Sequence, residues 1–338
     1  MPKAVVAAGY ADVDIIKTLE TFPARHGLVN VQKITRALGG AACNCALDLA
    51  RLSPETLVRP LAALGRDEYG AYMEDCFRQQ PNIDLSLLIY GGETAFTDVL
   101  DEADTRVRTF LAYRGANKTF DVDSVQVENL DCDLFHVGYI CLMDALDSFD
   151  ETYGTRMARL LHKVRRAGIL TSVDAVTDST GRHKKLMPPA MKYADIFCVN
   201  EHEAGAAFDI PLRREDGRLD MDAMEKTLRR FRECGVAKWA VIHAPECVLG
   251  MDENDQIQYR QGAALPEGFV QGTVGAGDAF VSGLLLGARG GSNLADAMED
   301  GIAAAVSSLS RPGASEGVLP LPQARALLQK IRRGEYEK

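Results

Sequence analysis

The sequence predicts an α/β protein with a mostly parallel central sheet and helices on both faces of that sheet. Two observations support this fold class. Amphipathic helices alternate along the chain with short apolar strands, which is the pattern of a sheet covered by helices on both sides. The composition, with 46% hydrophobic and 25% charged residues, is that of an ordinary globular protein. The length of 338 residues suits two domains, or a single α/β domain with an insertion.

The alternation of helix and strand is clearest in the second half of the chain. Apolar residues at helical spacing predict one helix over 157–164 and another over 221–231, and the tail predicts a closing helix over 324–331. The first two helices end at Gly168 and Gly235. Short apolar stretches predict buried strands, which cover 134–137, 169–173, 196–199 and 239–242.

A glycine or a polar residue closes each of these predicted strands. The four residues are Gly138, Asp174, Asn200 and His243. Ligands of open α/β sheets bind beyond the carboxyl ends of the strands, so these positions are where a site is expected. Each of them can also be an ordinary loop start.

Two early regions depart from the alternation of helix and strand, and they predict a small separate sheet. Residues from about 12 to 36 and from about 92 to 115 show the polar alternation of half-exposed strands. Within the second region, 94–100 and 106–111 predict a hairpin that turns around 102–104. We expect these strands to form a lid outside the main sheet.

Composition and charge disfavour several function classes. Lys and Arg total 38 against 48 Asp and Glu, and a net charge of −10 is unlike that of a nucleic-acid-binding protein. No stretch approaches the ~20 apolar residues of a membrane span. The eight cysteines include no Cys-x-x-Cys pair, which disfavours a zinc ribbon. Asp12 and Asp14 follow the N-terminus too soon for a signal peptide, so we expect a cytoplasmic protein with free thiols and no nucleic-acid or membrane partner.

The strongest local signal for chemistry is Gly275-Ala276-Gly277-Asp278, which opens an apolar stretch that predicts a buried helix. A glycine turn at a helix start leaves backbone N–H groups free, with the positive end of the helix dipole behind them. This turn therefore predicts an anion site that a phosphate can approach closely. Asp278 would repel a phosphate, and it suits either a base that deprotonates an attacking hydroxyl or a simple dipole partner.

Two other phosphate-binding loops are excluded by the sequence. No glycine is followed by lysine, so the chain has no P-loop. Gly275-Ala276-Gly277 is the only Gly-x-Gly, and Phe280 stands where the dinucleotide fingerprint needs its third glycine. A nicotinamide-dependent dehydrogenase of the usual type is therefore disfavoured.

The Gly-Ala-Gly-Asp turn resembles the signature of the ribokinase-like sugar kinases, the PfkB carbohydrate kinase family. The Gly-Gly, Asn and Ala positions of 39–52 resemble that family's N-terminal motif. Three weaker matches stand in the expected order, namely Gly9 to Asp14, Gly65-x-Asp67-x-x-Gly70 and Asn200-x-x-Glu203. The resemblance implies a single domain over 1–338, folded as a ribokinase-like three-layer α/β/α sandwich with a small β-sheet lid.

The resemblance implies a role for each matching residue. Asp278 would be the catalytic base, and the backbone N–H groups of Gly275, Ala276, Gly277 and Asp278 would form the anion hole. The carboxyl, amide and backbone groups matching the family's sugar ligands are those of Asp12, Asp14, Gly39, Gly40 and Asn44.

The resemblance also implies the nucleotide and metal ligands. Asn200 and Glu203 would orient Mg²⁺, through water, beside the phosphates of ATP. Thr273, Gly275 and Gly277 would contact the nucleotide.

The chain departs from the family pattern in two places. Gly272 replaces the Asp that usually precedes the signature Thr and helps to hold a monovalent cation, which puts K⁺ activation in doubt. Residues 242–245 replace the usual Thr-x-Gly that meets the nucleotide, and Pro245 has no N–H to donate. His243 is a candidate substitute contact.

The predicted reaction is transfer of the γ-phosphoryl group of ATP to a primary hydroxyl of a small, ribose- or fructose-like sugar. A nucleoside kinase of the same family is an alternative, because Phe96, Phe110 and Tyr113 of the lid could stack on a base. An acidic or phosphorylated sugar is another alternative, since Arg106 and Arg108 belong to the lid.

Arg114 also belongs to the predicted lid and to the same argument for an acidic sugar. A non-catalytic sugar-binding regulator on the same scaffold is a further alternative, suggested by the altered loop at 242–245. Exposed edges of the lid could also pair two chains into a homodimer.

Overall fold

A computed structural model describes residues 3–103, 105 and 107–336. Its strands are β1 (Ala4–Gly9), β2 (Asp12–Leu19), β3 (Val31–Gly39), β4 (Val58–Leu61), β5 (Ala63–Leu64), β6 (Ile89–Tyr90), β7 (Phe96–Glu102), β8 (Arg108–Tyr113), β9 (Cys132–Ile140), β10 (Phe149–Asp150), β11 (Gly154–Thr155), β12 (Leu170–Ala175), β13 (Ile196–Asn200), β14 (Trp239–His243), β15 (Cys247–Met251) and β16 (Ile257–Gln261). Its α-helices are α1 (Ala41–Leu52), α2 (Glu68–Arg78), α3 (Arg156–Arg166), α4 (His183–Met191), α5 (Glu201–Ala206), α6 (Met221–Cys234), α7 (Ala276–Arg289), α8 (Leu294–Ser308) and α9 (Leu321–Arg332).

The main sheet has eight strands in the order β16-β15-β14-β13-β12-β9-β1-β4. The six strands from β14 to β4 pair in parallel, and β15 and β16 add an antiparallel edge. Because the carboxyl ends of the parallel strands meet at one edge, the loops that follow β9, β12, β13 and β14 lie side by side there.

Helices cover both faces of this sheet and produce a three-layer structure. Alternate residues of the fully buried strand β1 face opposite ways. Val6 belongs to the core cluster that includes residues of α3, α4 and α6, whereas Val5 belongs to the cluster that includes residues of α1, α7, α8 and α9. The predicted α/β class with a mostly parallel sheet is confirmed. The predicted end of α6 at Gly235 is also confirmed. Gly235 follows the helix with a φ of 115°, a left-handed conformation that residues with a side chain rarely adopt.

The two early regions form a second sheet of four strands, in the order β3-β2-β7-β8. This is the lid sheet. Its hairpin strands β7 and β8 lie two residues later than the predicted 94–100 and 106–111, because the pairing of Phe96 with Tyr113 fixes their register. Arg106 and Asp104, which the sequence placed in this hairpin, lie outside the described residues.

The main-sheet strands extend further than their apolar cores predict. Gly138 lies inside β9 and Asp174 inside β12, rather than after them, because parallel pairing with neighbouring strands continues past the apolar residues. Asn200 and His243 are the last residues of β13 and β14, as predicted.

Two further observations concern the cysteines and the length of the helices. All eight cysteines are free thiols, six of them buried. Within the described ranges, no helix combines the length and the apolar character that crossing a bilayer requires.

Candidate active site

The predicted anion turn lies at the start of α7, and ten residues of this helix are buried. Gly275 caps the helix with a φ of 76°, and a Cβ there would lie 2.6 Å from the Cβ of Ala314. Both facts require glycine at this position. The N–H groups of the first helical turn therefore face outward with no partner inside the helix.

Asp278 is buried in that first turn and receives two hydrogen bonds from distant parts of the chain. Asn44 Nδ2 of α1 donates to Asp278 Oδ2 at 2.9 Å. The hydroxyl of Tyr139, at the end of β9, lies 2.8 Å from Oδ1 and 2.9 Å from Oδ2. Burial raises the pKa of Asp278, and the two hydrogen bonds act in the opposite direction because they favour the carboxylate.

Tyr139 is a site residue that was not predicted from the sequence. Its only sequence signal is its position directly after Gly138, near the end of an apolar strand. A Cβ on Gly138 would lie 2.1 Å from Asp174 Oδ1, so this glycine lets the two neighbouring strands approach at the site.

Three carboxylates meet in one cavity of about 190 Å³ at the carboxyl edge of the sheet. They belong to Asp174, Glu203 and Asp278, and Asn200 and His243 share the lining. Burial raises the pKa of Glu203 to about 7, and the charge of Asp278 adds to this effect. Burial and the charges of the other two carboxylates raise the pKa of Asp174 well above its usual range.

Asn200 and Glu203 also bind each other around the start of α5. The Asn200 side chain accepts from Glu203 N at 2.9 Å, and Asn200 N donates to Glu203 Oε2 at 3.1 Å. This is a capping box, in which residues three apart satisfy each other's backbone groups. Glu203 Oε1 accepts two further hydrogen bonds, from Asn200 Nδ2 at 2.7 Å and from Thr177 Oγ1 at 3.0 Å.

A second cavity, of about 730 Å³, adjoins the first. The two cavities share Asn200, His243 and Gly277, so the anion turn lies between them. Thr273 lines the large cavity, whose wall is otherwise largely apolar, with Val248, Leu265, Val270, Phe280, Ile302, Val306 and Leu309.

His243 stacks on the ring of Phe280, with the ring centroids 4.9 Å apart and the planes 29° apart. Burial lowers the pKa of His243 to about 4, so its ring is neutral at neutral pH. It lies beside the anion turn, because a Cβ on Gly277 would be 3.6 Å from His243 Cε1.

Asp12, Asp14 and Gly39 come together where the lid sheet meets the main sheet. β2 pairs with β3 so that Asp12 lies opposite Gly39. A Cβ on Gly39 would lie 2.4 Å from Asp12 Oδ1 and 3.0 Å from Asp14 Oδ2. Burial raises the pKa of both carboxyl groups, and the charge of Asp12 adds to the effect on Asp14.

We call the group of Asp12, Asp14 and Gly39 the carboxylate corner. The next residue along the chain, Gly40, begins the connection from this corner to Asp278. Gly40 caps α1 with a φ of 86°, and a Cβ there would lie 2.4 Å from Tyr10 O. Asn44 lies one helical turn further along α1 and contacts Asp278. Helix α1 therefore links the carboxylate corner at its N-terminus with the anion turn.

Comparisons with known proteins agree with this arrangement. Residues 2–321 match the family described as pfkB family carbohydrate kinase. The 5-dehydro-2-deoxygluconokinase of Geobacillus thermodenitrificans is 24% identical over 320 residues, which cover 88% of this chain and 86% of that protein.

Solved structures of similar fold come from several kingdoms. The Arabidopsis thaliana ribokinase complexed with ribose and ATP superposes with a TM-score of 0.77 at 17% identity, covering 97% of this chain and 99% of that one. The nucleoside kinase of Methanocaldococcus jannaschii gives a TM-score of 0.75 at 17% identity, covering 98% and 100%. These likenesses show a ribokinase-like fold. Because the family match spans nearly the whole sequence, the chain belongs to the pfkB family of carbohydrate kinases and is a phosphotransferase that acts on a carbohydrate.

Proposed function

We propose that the protein transfers the γ-phosphoryl group of ATP to a primary hydroxyl of a small sugar, with Asp278 as the catalytic base. The observation that carries this proposal is the position of the Asp278 carboxylate. It lies in the first turn of α7, within the carboxylate-lined cavity and beside the anion turn. A hydroxyl held there could lose its proton to Asp278 as its oxygen attacks the phosphorus.

The anion turn would stabilise the transferring phosphoryl group through backbone N–H groups of residues 275–278. Ala276 N donates to Thr273 O over a long distance of 3.5 Å, a bond that a phosphoryl oxygen could replace. Donors that the helix fixes in place before the reaction need little reorganisation as charge develops. Gly277 supports this role, because the protein itself leaves room for a side chain at 277. A Cβ there would meet only His243 Cε1, in ordinary contact at 3.6 Å. We infer that glycine is needed at 277 by the ligand.

We therefore expect Gly277→Ala to lower kcat/KM for ATP by about tenfold while leaving the melting temperature equal to or above that of the wild type. A methyl group would obstruct the phosphoryl group, whereas alanine is the better helix former by ~0.5–1 kcal/mol. Initial rates at varied ATP and a thermal melt check both expectations. Gly91→Ala is the matched control, since a Cβ on Gly91 meets nothing within 4 Å. Unchanged kinetics for Gly277→Ala would show that no ligand approaches this residue.

The apolar cavity of about 730 Å³ suits the adenine and ribose of ATP, since such pockets are mostly apolar with a few polar groups at one end. Its polar end carries Thr273, His243 and the anion turn. His243 would take the place of the missing Thr-x-Gly contact, with its neutral ring packed on Phe280.

The three-carboxylate cavity fits Mg²⁺, which prefers oxygen ligands and keeps several of its waters. Asp174 Oδ1 is buried and has no hydrogen-bond partner among the described residues, which suits an oxygen that binds an ion or an ion-bound water. Asn200 and Glu203 would orient the ion through water, and Asp174 supplies a further carboxylate. The ion would neutralise charge on the phosphates.

Potassium is not expected to activate this enzyme. Gly272 lies against the backbone of Pro312, and a Cβ at 272 would be 2.4 Å from Pro312 O. An aspartate cannot occupy this position unless the segment around Pro312 moves. We predict that kcat measured in potassium salts and in tetramethylammonium salts of equal ionic strength agrees within about twofold. A tenfold activation by potassium would contradict this prediction.

The sugar would bind at the carboxylate corner, formed by Asp12, Asp14 and Gly39, and at the adjoining Gly40, with Asn44 at its catalytic end. Buried carboxylates accept hydrogen bonds from vicinal hydroxyls, which suits a polyol. Thr97 Oγ1 already donates to Asp12 Oδ2, which leaves Oδ1 beside Gly39 for the sugar.

The described lid arginines do not favour an acidic sugar. Arg108 pairs with Asp101 at 3.2 Å. Arg114 donates to Leu142 O at 2.6 Å and lies 3.5 Å from Asp144. Both charges are therefore engaged within the protein, which supports a neutral sugar.

A nucleoside is the second candidate acceptor, favoured by Phe110 of the lid sheet. Phe110 is 58% exposed. Phe110 lies opposite Val99 of β7, which in turn lies opposite Ile16 of β2. Asp14 is two residues before Ile16, and side chains two residues apart on a strand share a face. The ring of Phe110 therefore lies on the same face as Asp14 and is free for stacking, whereas Phe96 contacts Tyr69 and Tyr113.

An ADP-release assay with ATP and Mg²⁺ tests the proposed function. The acceptors are ribose, fructose, adenosine and 5-dehydro-2-deoxygluconate, and ³¹P NMR identifies the phosphate ester. We expect the highest kcat/KM with a neutral sugar. A preference for adenosine would favour the nucleoside kinase, and a preference for the acid would overturn the argument from the arginines. Sugar binding without any turnover would favour the non-catalytic regulator.

We also propose that the lid edge joins two chains into a homodimer. Leu111 on the edge strand β8 is 54% exposed, and unpaired edge strands invite pairing with another chain. We expect the wild type to sediment as a dimer and Leu111→Lys to sediment as a monomer. Phe149→Lys, which changes an exposed apolar residue of β10, should remain dimeric. A monomeric wild type, or a dimeric Leu111→Lys, would contradict the proposal.

A further inference from the structure

Three potential metal ligands lie together at the same edge of the sheet but are not among the side chains that line the candidate active site. They are Cys141, Asp178 and His183, and one ligand atom from each lies within 4.8 Å of the other two. Cys141 directly follows β9, whereas Asp178 follows the neighbouring strand β12 and His183 begins α4. The topology of the sheet therefore brings them together from separate parts of the chain.

The imidazole of His183 is already oriented as a metal ligand. Its Nε2 lies 2.9 Å from the backbone oxygen of Val176. A carbonyl oxygen only accepts hydrogen bonds, so Nε2 carries a proton, and in the neutral ring Nδ1 then holds the free lone pair. His183 is 1% exposed, and its Nδ1 has no hydrogen-bond partner among the described residues. Metal-binding histidines typically donate their other N–H to a carbonyl or carboxylate in this way.

Two charged side chains, those of Asp147 and Arg182, adjoin the cluster. Asp147 accepts a hydrogen bond from Cys141 N at 3.3 Å, and its Oδ2 is buried without a hydrogen-bond partner in the described structure. Arg182 is the neighbouring cation. It bonds Asp178 at 3.2 Å and lies 4.0 Å from Asp147 Oδ2. Arg182 therefore lies between the two carboxyl groups, and it is the cation that pairs with both of them.

Cys141 has an unusual backbone that places its side chain at this site. Its φ is 77°, in the left-handed region that residues other than glycine rarely adopt. Conformations of this kind cluster at functional sites because the surrounding structure must hold them in place. The carbonyl of Cys141 is held by Arg182 at 2.6 Å.

We propose that Cys141, Asp178 and His183 bind Zn²⁺ or a similar thiophilic divalent cation, at a site separate from the three-carboxylate cavity. A thiolate and an imidazole select such an ion over Mg²⁺, which prefers oxygen ligands. Zinc bonds of ~2.0–2.3 Å place tetrahedral ligands about 3.5 Å apart, so the three side chains would close by roughly 1 Å. The bound ion would tie together the segments that follow β9 and β12.

Cobalt(II) titration of the full-length, tag-free protein after chelator treatment tests this proposal. A cobalt–thiolate bond gives a charge-transfer band in the near ultraviolet, which reports sulfur ligation independently of kinase activity. We expect one equivalent of cobalt with this band, and its displacement by Zn²⁺. Cys141→Ser should abolish the band, and it should weaken zinc binding, measured by competition with a chromophoric chelator, by more than the 10–100-fold typical of second-shell changes.

Matched variants keep the result interpretable. Cys132→Ser changes another buried free thiol, and His162→Gln changes a histidine outside the cluster, so both should bind as the wild type does. His183→Gln should weaken zinc binding as Cys141→Ser does, with circular dichroism showing that each variant is folded. The proposal is overturned if the wild type shows no cobalt–thiolate band, or if folded Cys141→Ser and His183→Gln bind zinc as tightly as the controls.

Discussion

Asp278→Asn should lower kcat by roughly 10²–10⁴-fold, the usual contribution of a positioned base, while the affinity for the sugar stays within a few-fold of the wild type. The amide cannot take the proton from the attacking hydroxyl. It can nevertheless preserve the hydrogen bonds, because Asp278 Oδ2 accepts from both Asn44 and Tyr139, at 2.9 Å each. An asparagine with its oxygen at that place would accept from the same two donors.

Steady-state kinetics and calorimetric titration of the sugar would separate these two effects. Asp296→Asn is the matched control, because Asp296 also lies in the first turn of a helix, α8, which packs against α7. Both variants remove one carboxylate from a helix N-terminus, so only the loss of a base should separate them. A kcat for Asp278→Asn within tenfold of the wild type would remove Asp278 from the role of base.

The features that could be predicted from the sequence are those set by local backbone chemistry. Gly275 is required by its positive φ and by its contact with Ala314, and the helix that follows is apolar enough to be buried. An anion turn of this kind is visible in a few consecutive residues. Four strands of the main sheet and the strands of the lid likewise follow from hydrophobic periodicity, with errors of about two residues at the strand ends, whereas the order of the strands in the sheet does not.

The partners of Asp278 were harder to predict because they come from distant positions. Tyr139 is 139 residues away along the chain, and it reaches Asp278 only because β9 ends beside α7. Asp174 was visible only as the polar residue after an apolar strand, and its role depends on two carboxylates from helices α5 and α7. No spacing within the sequence encodes such a meeting.

Asn200 and Glu203 show the opposite difficulty, since one spacing supports two interpretations. Residues three apart form a capping box at the start of α5, and this local role explains the pair without any ligand. Their side chains also line the three-carboxylate cavity. The two interpretations are compatible, because a carboxylate with two oxygens can cap a helix and still accept a hydrogen bond from a metal-bound water.

Tyr139→Phe should shift the acid limb of the pH profile of kcat to higher pH and lower kcat by roughly 10–100-fold on that limb. The hydroxyl donates to the Asp278 carboxylate, and a hydrogen bond to a charged group contributes ~1.5–3 kcal/mol. This bond favours the charged form and thereby lowers the pKa of Asp278. Without it the pKa rises, so a larger fraction of the base is protonated and inactive at a given pH.

The pH profile distinguishes this explanation from a structural one. A variant that merely loosened the site would lose activity equally across the range from about pH 5 to pH 9. If Tyr139 acts through the charge of Asp278, the loss should be greatest in acid and should diminish as the pH rises and deprotonates the base. Tyr153→Phe is the control, since Tyr153 packs with His162 and Tyr193 away from the cavity. An acid limb that stays in place in Tyr139→Phe would show that the hydroxyl does not set the protonation of the base.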